Sequence, residues 1–419
     1  MQSNKVSGII QWWVTPKLPR EHIFISPDKR PKEIVEIVRI YLRKWLAHPI
    51  KRRVARYYLI FLQKFCGLTV IGITGSAGKT TVKEMVASVL ARKGKTVSSF
   101  RNIDSVYNIP TTILRANPAT KYLVLEMGVE FPGEMDFYLW LARPNIAVIT
   151  NIYPTHTQFL GSVGGVANEK IKLIQTLSKD KYAILNNENP LVKKYSRKTR
   201  AKIVWYGKGS KIRAENQSIS SKLETKFTLN LMSGKINVRL PLLGEQFISD
   251  SLAAAAVGYV SGVSPSQIRE GLQNFRREEH RMVIIHHKSG AVILDDSYNN
   301  NPEAARGALM SLKSISGNKK MIVVFGDMLE LGNRQEQFHR ETGRLIASLG
   351  TDYLLGVGRL SKSLIEEAAK KMPREGLSWV ENVEDAYKIL APLLEKDSVI
   401  LIKGSRSIRL DKLVDRLSA

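Results

Sequence analysis

Apolar residues at Leu68, Val70, Ile71 and Ile73 follow one another with little alternation, which predicts a strand over 68–74 buried on both faces. After a glycine-rich stretch, Val82, Met85, Val86, Val89 and Leu90 recur at helical spacing. Further strands are predicted at Thr96–Ser99, Tyr122–Met127, Ile146–Asn151, Tyr182–Asn186 and Ile203–Tyr206, with helical patterns between several of them. That alternation predicts a mainly parallel sheet covered on both faces. Residues 224–240 alternate as antiparallel strands do, and Leu252–Val260 and Ile268–Phe275 read as helices. A second alternation opens with a strand over Val283–Asp295. It continues with strands at 321–325, 353–357 and 398–402, between helices near 302–315, 335–349, 361–371, 383–395 and 409–417. Two α/β units follow: a central one over 67–278 and a smaller one over 279–419.

Residues 1–66 form a separate block. The first 30 look loop-rich. Pro31 opens a helix with Ile34, Ile37, Val38, Tyr41 and Trp45 on one face, and Pro49 interrupts it. A second helix follows, with Val54, Tyr57, Phe61, Leu62 and Phe65 inward and Lys51, Arg52, Arg53 and Arg56 clustered. Two readings stand for this block. Its apolar face packs on the next domain with its basic face in water, or it lies as a basic amphipathic segment on an anionic membrane.

Composition sharpens this picture. The 419 residues exceed what one core holds, so two or three domains are expected. The net charge of +26 points to an anionic partner, and 14 of the 64 Lys and Arg fall before Gly67 against four Asp and Glu. The single cysteine, Cys66, excludes an internal disulfide and a cysteine-based metal site, and its apolar neighbours suggest a core thiol. No apolar run approaches the length of a spanning helix and no signal-peptide pattern is present, so a cytoplasmic protein is expected.

Gly75-Ser76-Ala77-Gly78-Lys79-Thr80-Thr81 lies between a predicted strand and a predicted helix, the context of a phosphate-binding loop. Counted from Gly72, the spacing is one residue longer than the common form. Lys79 would reach the β/γ-phosphates of a nucleotide and Thr80 would ligate Mg²⁺. Strand ends carry the ligands in α/β sheets, and Glu126 and His156 stand at or just past two of them.

These stretches, with Ala167-Asn-Glu-Lys170, resemble the Mur ligases. Asp295-Asp-Ser-Tyr-Asn-Asn-Asn-Pro302, Gly326-Asp-Met-Leu-Glu-Leu-Gly332 and Lys403-Gly-Ser-Arg406 resemble the MurF type, which joins D-alanyl-D-alanine to UDP-N-acetylmuramoyl-tripeptide. The resemblance spans roughly 68–417. It implies a P-loop central domain and a smaller Rossmann-like C-terminal domain, here preceded by a basic helical segment. It also implies an ATP-dependent amide ligase of cell-wall synthesis that works through an acyl phosphate. By position, Lys79 and the loop amides would hold ATP, and Thr80 with Glu126 one Mg²⁺. His156 and Lys170 would sit at a second Mg²⁺, with Lys170 carbamylated. Read without the family, Lys170 is a solvated charge on a helix starting near Val166. Arg281, Asp295 and Asn299 would contact the nucleotide. Lys403, Ser405 and Arg406 would approach the γ-phosphate and the peptide substrate, and Asp327 and Glu330 the incoming amine.

Three stretches depart from the pattern. Asn102-Ile-Asp-Ser-Val-Tyr-Asn108-Ile-Pro110 keeps only the first Asn and the Pro of a substrate-side loop. Gly244-Glu-Gln246-Phe247-Ile-Ser-Asp250 alters the adenine side. No UDP-binding domain is recognisable in residues 1–66. The expected function is therefore addition of D-Ala-D-Ala to a muramoyl-peptide by a monomer, with no nucleic-acid partner. Two alternatives remain: the same chemistry on a non-UDP or lipid-linked carboxylate, and a nucleotide-switched protein binding a membrane or nucleic acid.

Overall fold

The computed structural model describes residues 8–25, 30–100 and 104–418. The first sheet comprises β1 (Thr69–Thr74), β2 (Thr96–Ser98), β3 (Tyr122–Glu126), β4 (Ile146–Ile149), β5 (Tyr182–Asn186) and β6 (Lys202–Tyr206). Their order is β2-β3-β1-β4-β5-β6, and every pairing is parallel. The unbroken apolar runs follow from this, since both faces are covered: Val70, Ile71 and Ile73 are fully buried. The order also builds the site. β1 lies between β3 and β4, so the loop after β1 is flanked by the carboxyl ends of the two strands leading to Glu126 and His156.

A three-stranded antiparallel sheet follows: β7 (Arg213–Ile219), β8 (Thr225–Leu231) and β9 (Gly234–Leu240). The expected Ala-rich helix runs longer, over Glu245–Val260, with Ala253 to Ala256 fully buried. The C-terminal sheet holds β10 (Val283–His286), β11 (Val292–Asp296), β12 (Lys320–Gly326), β13 (Tyr353–Val357), β14 (Leu377–Val380) and β15 (Ser398–Lys403). Its order is β10-β11-β15-β12-β13-β14. The single strand expected over Val283–Asp295 is an antiparallel hairpin, because Gly290 at φ 90° turns the chain back between His286 and Val292.

The described residues before Gly67 are helical or irregular, without a strand. Helix Ile34–Leu42 runs through a π-helical stretch, Arg43–Ala47, into helix His48–Phe65. Pro49 does not interrupt it. It falls at the second position of the last segment, after a widened turn that accommodates its missing N–H. The expected facing of this helix is corrected. Leu62 is buried, but Val54, Tyr57, Phe61 and Phe65 point outward. Ala55, Leu59 and the guanidinium-bearing Arg52 and Arg53 face inward instead. Arg53 donates to Pro49 O at 3.0 Å, to Thr15 O at 2.9 Å and to Trp12 O, and lies 4.0 Å from the Trp12 ring centroid. Arg52 donates to Trp13 O at 3.1 Å. Carbonyls and an indole face thus compensate Arg53, whereas the buried Nε of Arg52 is left without a partner among the described residues. Cys66 is only half-buried.

Candidate functional site

Thr74 ends β1, and Gly75 to Gly78 lead into helix Lys79–Ala91. Gly78 has φ 79°, and a Cβ there would meet Asp250 Oδ1 at 2.3 Å, so the loop needs glycine on both counts. The amides of Ser76 and Ala77 are already engaged: both donate to Asn151 Oδ1, at 3.1 and 2.8 Å. Asn151, just past β4, clamps the loop. The N–H groups of the first turn, beginning with Lys79, lack helical acceptors and could donate to an anion. Lys79 Nζ rests on Gly75 O at 3.1 Å. Desolvation lowers its pKa, Glu126 opposes that, and Arg281 adds to it.

Thr80 Oγ1 donates to Glu126 Oε1 at 3.1 Å and accepts from Arg281 Nη2 at 3.3 Å. A hydroxyl and a carboxylate converging beside a phosphate loop fit Mg²⁺, which takes oxygen ligands. Arg281 comes from the other domain and lies over the Tyr298 ring, 4.5 Å from its centroid, while Arg406 lies 5.4 Å away. Beside Thr81 and Arg281 opens a depression with an apolar wall of Leu242, Phe247 and Phe275. Another depression, around Lys319 and Asp352, sits where β12 and β13 begin, at the opposite end of the strands from the loop-side chemistry.

His156 takes a left-handed conformation, φ 53°, before helix Thr157–Leu160. Its Nδ1 lies 2.7 Å from Glu330 Oε2 of the C-terminal domain. Glu130 joins them, so that ligand atoms of all three residues lie within 4.8 Å of one another. Burial raises the Glu130 carboxyl to about 7, and Glu330, Glu134 and Asp104 add to the shift. Lys170, on helix Val163–Gln175, is 1% exposed, which removes the solvated reading. Burial drives its pKa well below the ordinary lysine value, Lys79 reinforces this, and Glu134 and Glu169 oppose it. A lowered pKa favours the neutral amine, the form that reacts with CO₂. A carbamate would supply the oxygen ligands that an ammonium lacks, while the ligand atoms gathered around His156 itself are those of Glu130 and Glu330.

Several expected site residues are engaged within their own domain. Asp295 accepts from Ser297 and lies 2.7 Å from His280 Nδ1. Asn299 accepts from Asn300 N. Lys403, 1% exposed, pairs with Asp296 at 2.5 Å and donates to Asn299 O at 2.9 Å. Asp327 accepts from Ser361 N at 2.7 Å at the start of helix Ser361–Ala368, and Ser405 Oγ accepts from Leu329 N. Of the Asp327–Glu330 pair, Glu330 is the one that meets the central domain. Asn102 lies outside the described residues. Glu130, Asn151 and Tyr298 were missed as site residues. Tyr298 stood inside a quoted motif and Asn151 at the end of a predicted strand, whereas Glu130 gave no local signal.

The loop, its flanking carboxylate and the arginine from a second α/β domain define a two-domain ATP-dependent ligase. A profile of the Mur ligase middle domain matches residues 73–258, and one of the Mur ligase glutamate ligase domain matches 280–406. The UDP-N-acetylmuramoyl-tripeptide–D-alanyl-D-alanine ligase of Bacillus subtilis is 33% identical over 96% of this chain and 82% of its own length. The Escherichia coli ligase of the same name is 31% identical over 83% of this chain and 76% of its own. The chain belongs to the Mur ligase family, within it to the MurF type. The crystal structure of MurF from Acinetobacter baumannii superposes with a TM-score of 0.81 at 28% identity, covering 88% of this chain and 80% of that one. MurF from Thermotoga maritima in complex with ADP, 23% identical with a TM-score of 0.78, covers 92% of this chain and 91% of its own and shares the fold.

Proposed function

We propose that this chain joins the amine of D-alanyl-D-alanine to the terminal carboxylate of a UDP-N-acetylmuramoyl-tripeptide with cleavage of ATP. The carboxylate attacks the γ-phosphorus and ADP leaves, giving an acyl phosphate. The amine attacks the acyl carbon and loses a proton, and phosphate departs. Lys79 and the first-turn amides hold the phosphates and stabilise charge on the transferred group. Thr80 and Glu126 would hold one Mg²⁺, and His156 with carbamylated Lys170 a second. Bound there, the ions would neutralise phosphate charge and orient the γ-phosphoryl group. Lys403, fixed by Asp296, would present a positive charge from the second domain, and Arg406 stacked near Tyr298 would face the same cleft. Asp327 and Ser405 shape the loop that carries Glu330 toward the amine side.

The observation that carries this reading is the meeting of Thr80, Glu126 and Arg281 at one point. It ties the phosphate loop, a metal carboxylate and the second domain together. ADP release measured with each substrate alone and with both tests it. Turnover requiring both supports the reading, and unchanged ADP release without the amine overturns it. Residues 1–66 enter as a segment that does not bind UDP, since their described part is helical and carries no glycine loop after a strand. The carboxylate substrate is then recognised by other contacts, and a lipid-linked precursor is the second reading that this segment favours. Peripheral contact of residues 1–66 with an anionic membrane at the cytoplasmic face belongs to the same proposal.

A further inference from the structure

Among the described residues, every exposed large apolar side chain except Leu114, Ile219, Met232 and Met310 lies before Gly67. Most are on one helix. From Ile34 through Leu42, Ile50 and Tyr57 to Phe65, outward apolar side chains recur along a helix roughly 50 Å long at 1.5 Å per residue. In a regular α-helix each four-residue step would swing such a stripe by about 40°, and the wide turn at Arg43–Ala47 takes back part of that drift. The first segment, Ile34–Leu42, has seven apolar residues among nine and buries none. Ile34 and Val35 are 77% and 78% exposed. Such a face in water has no counterpart elsewhere on the described surface, and faces of this kind mark interaction sites.

The opposite face of the same helix is committed. Ala55, Leu59 and Leu62 are buried in the core that also holds Ile109, Ile113 and Phe137. His48 bonds Val106 O at 3.1 Å and Tyr58 donates to Ala116 O at 2.9 Å. The helix is therefore fixed to the central domain with its apolar stripe turned away from it. Exposed Arg30, Lys32, Arg39, Arg43 and Lys64 accompany the stripe, and Glu33 and Glu36 are the only acidic residues between Arg30 and Phe65. Two copies meeting through this face would bring like charges together, whereas an anionic surface would neutralise them. No described helix is long and apolar enough to cross a membrane.

We propose that the outward face of helix 34–65 is a membrane seat: it lies in the interface of an anionic bilayer, with the Ile34–Phe65 stripe toward the acyl chains and the arginines and lysines at the headgroups. This rests on the peripheral-contact reading above and corrects its chemistry, since Arg52 and Arg53 are buried and take no part. The seat also sets the site's position. Helix Ser105–Arg115, against which the seat helix packs, begins beside β3, and Ser105 Oγ donates to Glu126 O at 3.1 Å. The nucleotide site is thereby held at a fixed distance from the bilayer.

The test is flotation of the full chain with phosphatidylcholine vesicles, with and without about one third phosphatidylglycerol, at low and high salt. The expected result is binding to the anionic vesicles only. It should weaken about tenfold or more at high salt, in Val38→Glu with Leu42→Glu, and in Arg39→Glu with Arg43→Glu. ADP release without vesicles should be unchanged in both variants, because these side chains are exposed and none belongs to the site. Absence of anionic-vesicle binding, or binding undiminished in both variants, overturns the proposal. So does a concentration-dependent dimer in sedimentation velocity that the Val38→Glu, Leu42→Glu change abolishes, which would make a second copy the occupant. Loss of substrate-dependent ADP release with vesicle binding intact would strike the ligase reading and leave this one standing.

Discussion

The guanidinium of Arg281 donates to the hydroxyl of Thr80 at 3.3 Å, across the boundary between the two α/β domains. The same hydroxyl donates to Glu126, so one side chain links the helix after the phosphate loop, the end of β3 and the C-terminal domain. Removing Arg281 should therefore cost more than a surface charge. Arg281→Ala is expected to lower ADP release with both substrates by about 10²-fold, the usual effect of losing one electrostatic contact to a transferring group. Arg281→Lys should recover only part, because a point charge does not reproduce the planar fork stacked on Tyr298. Rates within a few-fold of the parent in Arg281→Ala would refute this role.

Lys79→Ala is expected to lose at least ~10²-fold in rate. Gly78→Ala should do comparable damage by another route. Its Cβ would have to displace the buried Asp250 carboxyl and the backbone would have to keep φ 79°. Strain of about 1–3 kcal/mol in the loop should appear as a lowered melting temperature alongside lost ATP binding. A Gly78→Ala protein with unchanged melting and nucleotide affinity would contradict the geometry.

The sheet and loop were legible because strands β1, β3 and β4 are buried on both faces, so their apolar runs carry their own signature. The Gly-Lys-Thr loop follows such a run directly. The hairpin at Val283–Asp296 was misread as one strand, although His287-Lys288-Ser289-Gly290 breaks the apolar run between Ile285 and Ala291 and marks the turn. The facing of the helix over residues 48–65 was misread for a physical reason. Apolar periodicity assigns the inside to Val54, Tyr57, Phe61 and Phe65, but Arg52 and Arg53 find carbonyls and indole faces at Trp12 to Thr15, nearly 40 residues earlier in sequence. Pairings of that kind leave no local pattern. The same holds for Glu130, His156 and Glu330, which converge only because β3, the loop after β4 and a C-terminal loop are brought together.

Lys170 joins function and stability. Its folded pKa lies well below its unfolded value, so between the two the unfolded chain binds a proton that the folded chain excludes. The unmodified lysine therefore destabilises the fold below its unfolded pKa. Lys170→Met should melt higher than the unmodified parent at neutral pH and be inactive. Lys170→Ala should also be inactive and regain part of its turnover with added short carboxylic acids, which restore the missing oxygens. A fully active Lys170→Ala would remove the lysine from the site, and mass spectrometry under native conditions should detect the added CO₂ in the parent.

The polar anchor of the N-terminal segment gives a pH signature. His22 is buried, with Nδ1 3.2 Å from Asp104 and Nε2 bonded to Glu134. Burial alone would lower its pKa, but the bonds to Asp104 and Glu134 outweigh it and raise the group to about 9. A folded pKa above the unfolded value means the stabilisation is complete below about pH 6.5 and fades as pH rises through about 9. The shift corresponds to roughly 3 kcal/mol at 1.36 kcal/mol per unit, present at pH 6 and largely lost by pH 10. Melting temperature should fall across that window more steeply for the parent than for His22→Gln, which keeps a donor but cannot titrate. His22→Gln should start lower at pH 6 and converge on the parent at alkaline pH. Parallel melting profiles for the two proteins would mean that His22 carries no proton of its own in the fold.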